Sequence, residues 1–269
     1  MMNMKNGCVA LGDTEMYYAS FGNGERQLVV LPGLSDGLTT VKGKAPFLRA
    51  PYKRFLNDYT VSIFSRKNRM PEGYTIRQMA ADQARAMQAL GIGKAAVLGV
   101  SQGGMIAQYL AIDEPEMVEK LILAVTAPYA NEVAQSVVGG WIEMAKQGDH
   151  VRLMTDTAEK TYSQAYLEKN GKLFPLIAKF TKPKSYERFF RNAYAIMDFD
   201  ARGDLARIQC PTLIIAGDDD KIVGNEAPYE LNERISGSRV LIYKGLGHGA
   251  FEEGRDFYDQ VYAFCETEP

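Results

Sequence analysis

Ser101 stands at the centre of Gly99-Val100-Ser101-Gln102-Gly103, with one further glycine behind it. An apolar run, residues 95–100, leads in, and a helix-compatible segment, 105–112, leads out. The chain must turn sharply from strand to helix with the serine at the apex. Such a turn needs residues without side-chain bulk on either side, and Gly99 and Gly103 meet that need. A serine hydroxyl is a poor nucleophile near neutral pH. It needs a base to take its proton and a third group to orient that base. The sequence offers two histidines. His150 sits among Gly148, Asp149 and Arg152 and reads as a solvated surface residue. His248 lies in the glycine-flanked loop 245–249, just past an apolar run, and is the candidate base. An acid is then needed between the last two strands, where Asp218, Asp219 and Asp220 supply three candidates.

The elements that would hold these groups follow an alternating pattern. Residues 8–21 read as a hairpin broken at Gly12-Asp13. Short apolar runs at 27–31 (QLVVL), 59–64 (YTVSIF), 94–99, 120–125 (KLILAV), 212–216 (TLIIA) and 239–243 (RVLIY) read as strands covered on both faces. Thr75-Ile76-Arg77-Gln78 has capping-box spacing, and Gly91 closes the helix that it starts. Residues 66–73 read as a polar loop, and 251–265 as one closing amphipathic helix. Strands alternating with helices predict an α/β fold with a mostly parallel, doubly wound sheet. Between 129 and 205 no strand signal appears. Three to five helices are expected there, inserted as a cap, with the core formed by 1–128 and 206–269. Trp141, Tyr186, Phe190 and Tyr194 are candidates for lining a substrate pocket under that cap.

Composition narrows the function classes. The chain has 269 residues, 46% of them hydrophobic and 24% charged, with 31 basic against 33 acidic residues and a net charge of −2. That describes a full-sized globular core, with no basic stripe for nucleic acid. No apolar run is long enough to span a bilayer, so no membrane partner is expected. Three widely spaced cysteines, Cys8, Cys210 and Cys265, suggest neither a disulfide framework nor a metal site and fit a cytoplasmic setting. Oligomeric state leaves no mark in the sequence.

With Ser, Asp and His in that chain order, the sequence resembles the α/β-hydrolase superfamily over residues 25–128 and 205–264. The resemblance implies more than the residues alone. In similar capped hydrolases a strand is followed by Gly, two variable residues and the acid, which here makes Asp220 the triad member and leaves Asp218 and Asp219 as turn formers. It also implies an oxyanion hole from the backbone N–H groups of Gln102 and Leu34. The latter lies in Pro32-Gly33-Leu34, where relatives often have His-Gly-x. Ser101 argues against haloalkane dehalogenases and epoxide hydrolases, which use aspartate there. Gly249 departs from the tryptophan of many meta-cleavage C–C hydrolases, and Leu34-Ser35 from the haloperoxidase oxyanion loop. The implied activity is hydrolysis of an ester or related acyl bond of a small molecule, through an acyl-enzyme and without metal or organic cofactor. Alternatives on the same triad are a lactonase, a C–C bond hydrolase, an aminopeptidase, a thioesterase or an acyltransferase; a low-turnover ligand-binding protein is the alternative from another class.

Overall fold

A computed structural model describes residues 3–267. Eight strands form one sheet in the order β1-β2-β4-β3-β5-β6-β7-β8: β1 (Met4–Leu11), β2 (Thr14–Phe21), β3 (Arg26–Leu31), β4 (Tyr59–Lys67), β5 (Ala95–Val100), β6 (Val118–Ala124), β7 (Thr212–Gly217) and β8 (Arg239–Tyr243). β2 pairs antiparallel with β1 and with β4, and every other pairing is parallel. The helices are α1 (Ala45–Leu48), α2 (Ile76–Ala89), α3 (Gln102–Asp113), α4 (Glu132–Lys146), α5 (His150–Thr161), α6 (Gln164–Asn170), α7 (Phe174–Thr181), α8 (Glu187–Met197), α9 (Ala227–Arg234), α10 (Ala250–Glu253) and α11 (Phe257–Glu266). The fold class read from the sequence is the one observed.

Period-two alternation along the central strands explains why both faces are covered. Val29, Leu31, Val97, Leu121 and Leu123 point into a core shared with α2 and α3, while Leu28, Val30, Ala96, Leu98 and Ile122 point into a second core with Phe257, Val261 and Phe264 of α11. The α2 start is the capping box that the sequence predicts: the Gln78 amide donates to Thr75 Oγ1 at 3.2 Å, and the Thr75 amide donates to Gln78 Oε1 at 2.9 Å. Its face of Ile76, Met79, Ala80, Ala84 and Met87 is buried. Between β6 and β7 the chain makes five helices, α4 to α8.

Three expectations are corrected. Arg66 and Lys67 extend β4 instead of starting a loop, and Arg66 is buried. The closing helix is two pieces, since Gly254 adopts an extended backbone between α10 and α11. His150 is buried at the start of α5, with its ring 5.9 Å from that of Tyr186. A charged, polar sequence neighbourhood gave no sign that α7 and α8 would close over it.

β3 lies between β4 and β5, so the chain moves one way along the sheet after β3 and the other way after β5. The crevice at the carboxyl ends of β3 and β5 is therefore the topological switch point where open α/β sheets bind ligands. Pro32–Leu34 and Ser101 lie there. Among the described residues no helix is long and apolar enough to cross a membrane.

Candidate active site

Ser101 follows β5 directly, with φ 55° and ψ −120°. A non-glycine residue in that region is strained and must be held by its surroundings. Its N–H donates to Ala124 O at 2.9 Å, and its own carbonyl accepts from Thr126 Oγ1 at 2.8 Å. Val125, between those two partners, also has a positive φ of 45°. Space explains the flanking glycines: a Cβ on Gly103 would lie 1.9 Å from Leu31 O, and one on Gly99 would lie 2.5 Å from Gly103 O.

The candidate base and the three candidate acids separate cleanly. His248 Nε2 lies 2.9 Å from Ser101 Oγ, and His248 Nδ1 lies 2.8 Å from Asp220 Oδ2. His248 and Asp220 are both buried. The other Asp220 oxygen, Oδ1, accepts from the amides of Ile222 and Val223 at 2.9 and 3.0 Å. Asp218 instead closes a turn by accepting from the Gly245 amide at 2.6 Å, and Asp219 is exposed and pairs with Lys221 at 3.3 Å. A hydroxyl, an imidazole and a buried carboxylate in this chain can move the serine proton onto the ring and stabilise the resulting cation.

Gln102 opens α3 and Leu34 opens a short turn after β3. Among the described residues neither amide meets a hydrogen-bond acceptor. Beside them lies a buried polar cluster that the sequence did not disclose. Arg66 Nη2 donates to Pro32 O at 2.5 Å and to Gln102 Oε1 at 3.1 Å. Gln102 Nε2 donates to Asn192 O of α8 at 2.8 Å. Asp36 Oδ2 accepts from the Arg66 amide at 2.9 Å and from Arg188 Nη2 at 2.6 Å. Burial pulls the Arg66 guanidinium down to about 10, with Asp36 opposing the shift, so it remains a cation near neutral pH.

Ser101 and His248 open into a cavity of about 1,070 Å³. Its buried wall is apolar: Leu34, Val138, Trp141, Ala158, Ile222 and Val223 line it. Its charged liners are Lys53, Arg54, Glu252, Glu253, Arg255 and Asp259; five are exposed and Glu253 is half-buried, which puts charge at the mouth. Trp141 lines the cavity, with Nε1 donating to Asp156 Oδ2 at 2.7 Å. Tyr186, Phe190 and Tyr194 are a correction. They line a separate surface depression with Glu72 and Lys146. The helix carries two stripes, and it is Phe189, Ala193 and Ile196 that face inward. Among the described residues no group of three His, Cys, Asp or Glu side chains is placed to hold a metal ion.

Comparison with known proteins gives the family. The chain is 28% identical over 209 residues to the AB hydrolase superfamily protein YisY of Bacillus subtilis, covering 74% of this chain and 76% of that one. It is 24% identical over 255 residues to 3-oxoadipate enol-lactonase 2 of Acinetobacter baylyi, covering 93% of each. The crystal structure of MGS-M2, an alpha/beta hydrolase enzyme from a Medee basin deep-sea metagenome library, matches in fold with a TM-score of 0.85 at 20% identity, over 98% of both chains. With the sheet order, the strained serine at the switch point and a family model matching residues 62–255, the chain belongs to the alpha/beta hydrolase fold family and is a hydrolase.

Proposed function

We propose that this protein is a serine hydrolase that cleaves small-molecule esters whose acyl group is neutral and apolar. Ser101 attacks the carbonyl carbon while His248 takes its proton, and Asp220 keeps the imidazole in the tautomer that presents Nε2 to the hydroxyl. The Leu34 and Gln102 amides receive the oxyanion, each donor being worth on the order of 3 kcal/mol in the transition state. The leaving alcohol takes the proton back from His248. Water, activated by the same histidine, then releases the acid. The reaction so written needs no metal or organic cofactor.

The hydrogen-bond chain from Ser101 through His248 to Asp220, opening into an apolar cavity, is the observation that carries this reading. On it, residues 129–205 act as a cap: α4 and α5 contribute Val138, Trp141 and Ala158 to the cavity wall. A lactone is a cyclic ester and would react by the same steps, which gives the enol-lactonase relative its place here. The three free thiols suit a reducing compartment such as the cytoplasm. The test is direct. Purified protein is expected to hydrolyse p-nitrophenyl butyrate, and a fluorophosphonate probe to label Ser101. Hydrolysis that survives unchanged in Ser101→Ala removes the nucleophile and with it this function.

A further inference from the structure

We infer that Arg66 is a positioning residue that ties the two strand ends of the oxyanion notch together, so that the Leu34 and Gln102 amides keep their spacing. The inference rests on the proposed role of those two amides. One guanidinium nitrogen, Nη2, donates both to Pro32 O at 2.5 Å and to Gln102 Oε1 at 3.1 Å. Pro32 begins the loop that ends in the Leu34 amide, and Gln102 carries the other amide itself. A single side chain thus spans the gap between the residues that follow β3 and the residue that follows Ser101.

The backbone of Arg66 is held as well, while Nε and Nη1 of its guanidinium meet no hydrogen-bond partner among the described residues. Its amide donates to Asp36 Oδ2 at 2.9 Å, and its carbonyl accepts from Arg188 Nη2 at 2.9 Å. Asp36 belongs to the same short turn as Leu34. Arg188 extends the clamp into α8, donating also to Asp36 Oδ2 at 2.6 Å, Asp36 O at 3.1 Å and Lys67 O at 2.6 Å. Backbone packing makes the same junction tight: a Cβ on Gly37 would lie 2.9 Å from the Phe189 Cα. Asp36, Arg66, Gln102 and Asn192 are all buried, with Gln102 and Asn192 wholly so. At such burial each bond made is stronger than at a surface, and Asp36 Oδ1 and Asn192 Oδ1 join Arg66 Nε and Nη1 in having no hydrogen-bond partner among the described residues.

Positioning matters here because oxyanion donors act only at about 2.7–3.1 Å from where the charge develops, and a misplacement of about 1 Å can cost about 100-fold. Substrate binding depends on the apolar cavity, which Arg66 does not line. Loosening the notch should therefore slow turnover and leave ground-state binding alone.

The experiment compares Arg66→Met, Gln102→Met and the double variant on p-nitrophenyl butyrate, at a temperature where circular dichroism shows each folded. Inhibition by phenylboronic acid, whose tetrahedral adduct with Ser101 places an oxygen in the notch, is measured alongside. Each single variant is expected to lose about 10-fold to 100-fold in kcat with KM within about 3-fold, and to bind the boronic acid correspondingly less tightly. The double variant should be little worse than the worse single one, because both remove the same link. Should Arg66→Met not fold, Gln102→Met and Gln102→Glu carry the test. Both keep the backbone donor and lose the bond to Asn192 O, but only the glutamate keeps an oxygen for Arg66, so the methionine variant should be the slower of the two, and equal rates overturn the inference. Unchanged kcat and boronic acid affinity in folded variants, or fully additive losses, overturn the inference. Loss of all activity in Ser101→Ala together with full activity in Arg66→Met would overturn it while leaving the proposed function standing.

Discussion

Asp220 holds His248 with one oxygen and its own loop with the other: Oδ2 lies 2.8 Å from the imidazole Nδ1, while Oδ1 accepts the amides of Ile222 and Val223. The carboxylate cannot swing away from the ring without giving up two backbone bonds. Replacing it with asparagine keeps the shape but lets the imidazole adopt the wrong tautomer, a change that costs about 10⁴ in kcat in serine proteases. Asp220→Asn is expected to lose activity on that order. Asp218→Asn and Asp219→Asn should each stay within about 3-fold, since one closes a turn at Gly245 and the other is exposed. Steady-state rates on folded protein decide it, and a larger loss at either of those two positions would move the acid.

Charge at the mouth and none in the buried wall predicts a preference that is independent of chain length. A carboxylate carried on the acyl group would have to leave water for a wall built from Leu34, Val138, Trp141, Ile222 and Val223, with no cation to meet it. We expect kcat/KM for the p-nitrophenyl ester of pentanoic acid to exceed that for the mono-p-nitrophenyl ester of glutaric acid by at least about 100-fold, the equivalent of a few kcal/mol of unpaired burial. Raising salt should change that ratio little. Comparable rates on the two esters would mean that a cation reaches the acyl end.

Much of this site is legible from residue order because its parts are short and local. The elbow announces itself through two glycines that close approaches require, Gly103 against Leu31 O and Gly99 against Gly103 O, and the strands through apolar runs that bury both faces. The Asp220 assignment needed the pattern of similar hydrolases, since chain position alone left three neighbouring aspartates open. What sequence could not supply is whatever depends on partners far away along the chain. Arg66 sits in a run of polar residues that looks solvated, yet its partners Pro32, Asp36, Gln102 and Arg188 come from three other segments. Helix α8 carries aromatic rings on both sides, Phe189 inward and Phe190 and Tyr194 outward, so periodicity gives the helix without giving the face. Tyr186, Phe190 and Tyr194 were the wrong stripe for the cavity.

Trp141 and Tyr194 provide a paired test of that correction. Trp141 is buried on the cavity wall, while Tyr194 is 44% exposed on the other side of the helical layer. Trp141→Leu should enlarge the cavity and raise the kcat/KM ratio of octanoate to butyrate p-nitrophenyl esters by about 5-fold or more, at a stability cost of about 1–3 kcal/mol. Tyr194→Ala should leave the ratio unchanged and alter stability by no more than about 0.5 kcal/mol. An acyl-length profile that shifts equally in both variants would return the Tyr194 stripe to the substrate pocket.

The buried His150 gives a prediction about acid stability that does not involve catalysis. Burial lowers its pKa from the ordinary value of 6.5, and the nearby Lys182 adds to the shift. Nε2 lies 3.4 Å from Thr181 Oγ1, and Tyr186 and the N-capping Asp149 lie beside it. The sign follows from proton counting. With the folded value below the unfolded one, the unfolded chain binds more protons between the two, so folding stability falls as pH drops below about 6.5. Above that pH the ring is neutral in both states and contributes no pH dependence. Phenylalanine keeps an aromatic ring against Tyr186 and cannot titrate. Tm measured at pH 7.5 and at pH 5.5 should therefore fall further in the natural chain than in His150→Phe, whatever the offset between the two proteins at pH 7.5. Equal falls would show that His150 exchanges its proton in the folded state as freely as it does in the unfolded chain.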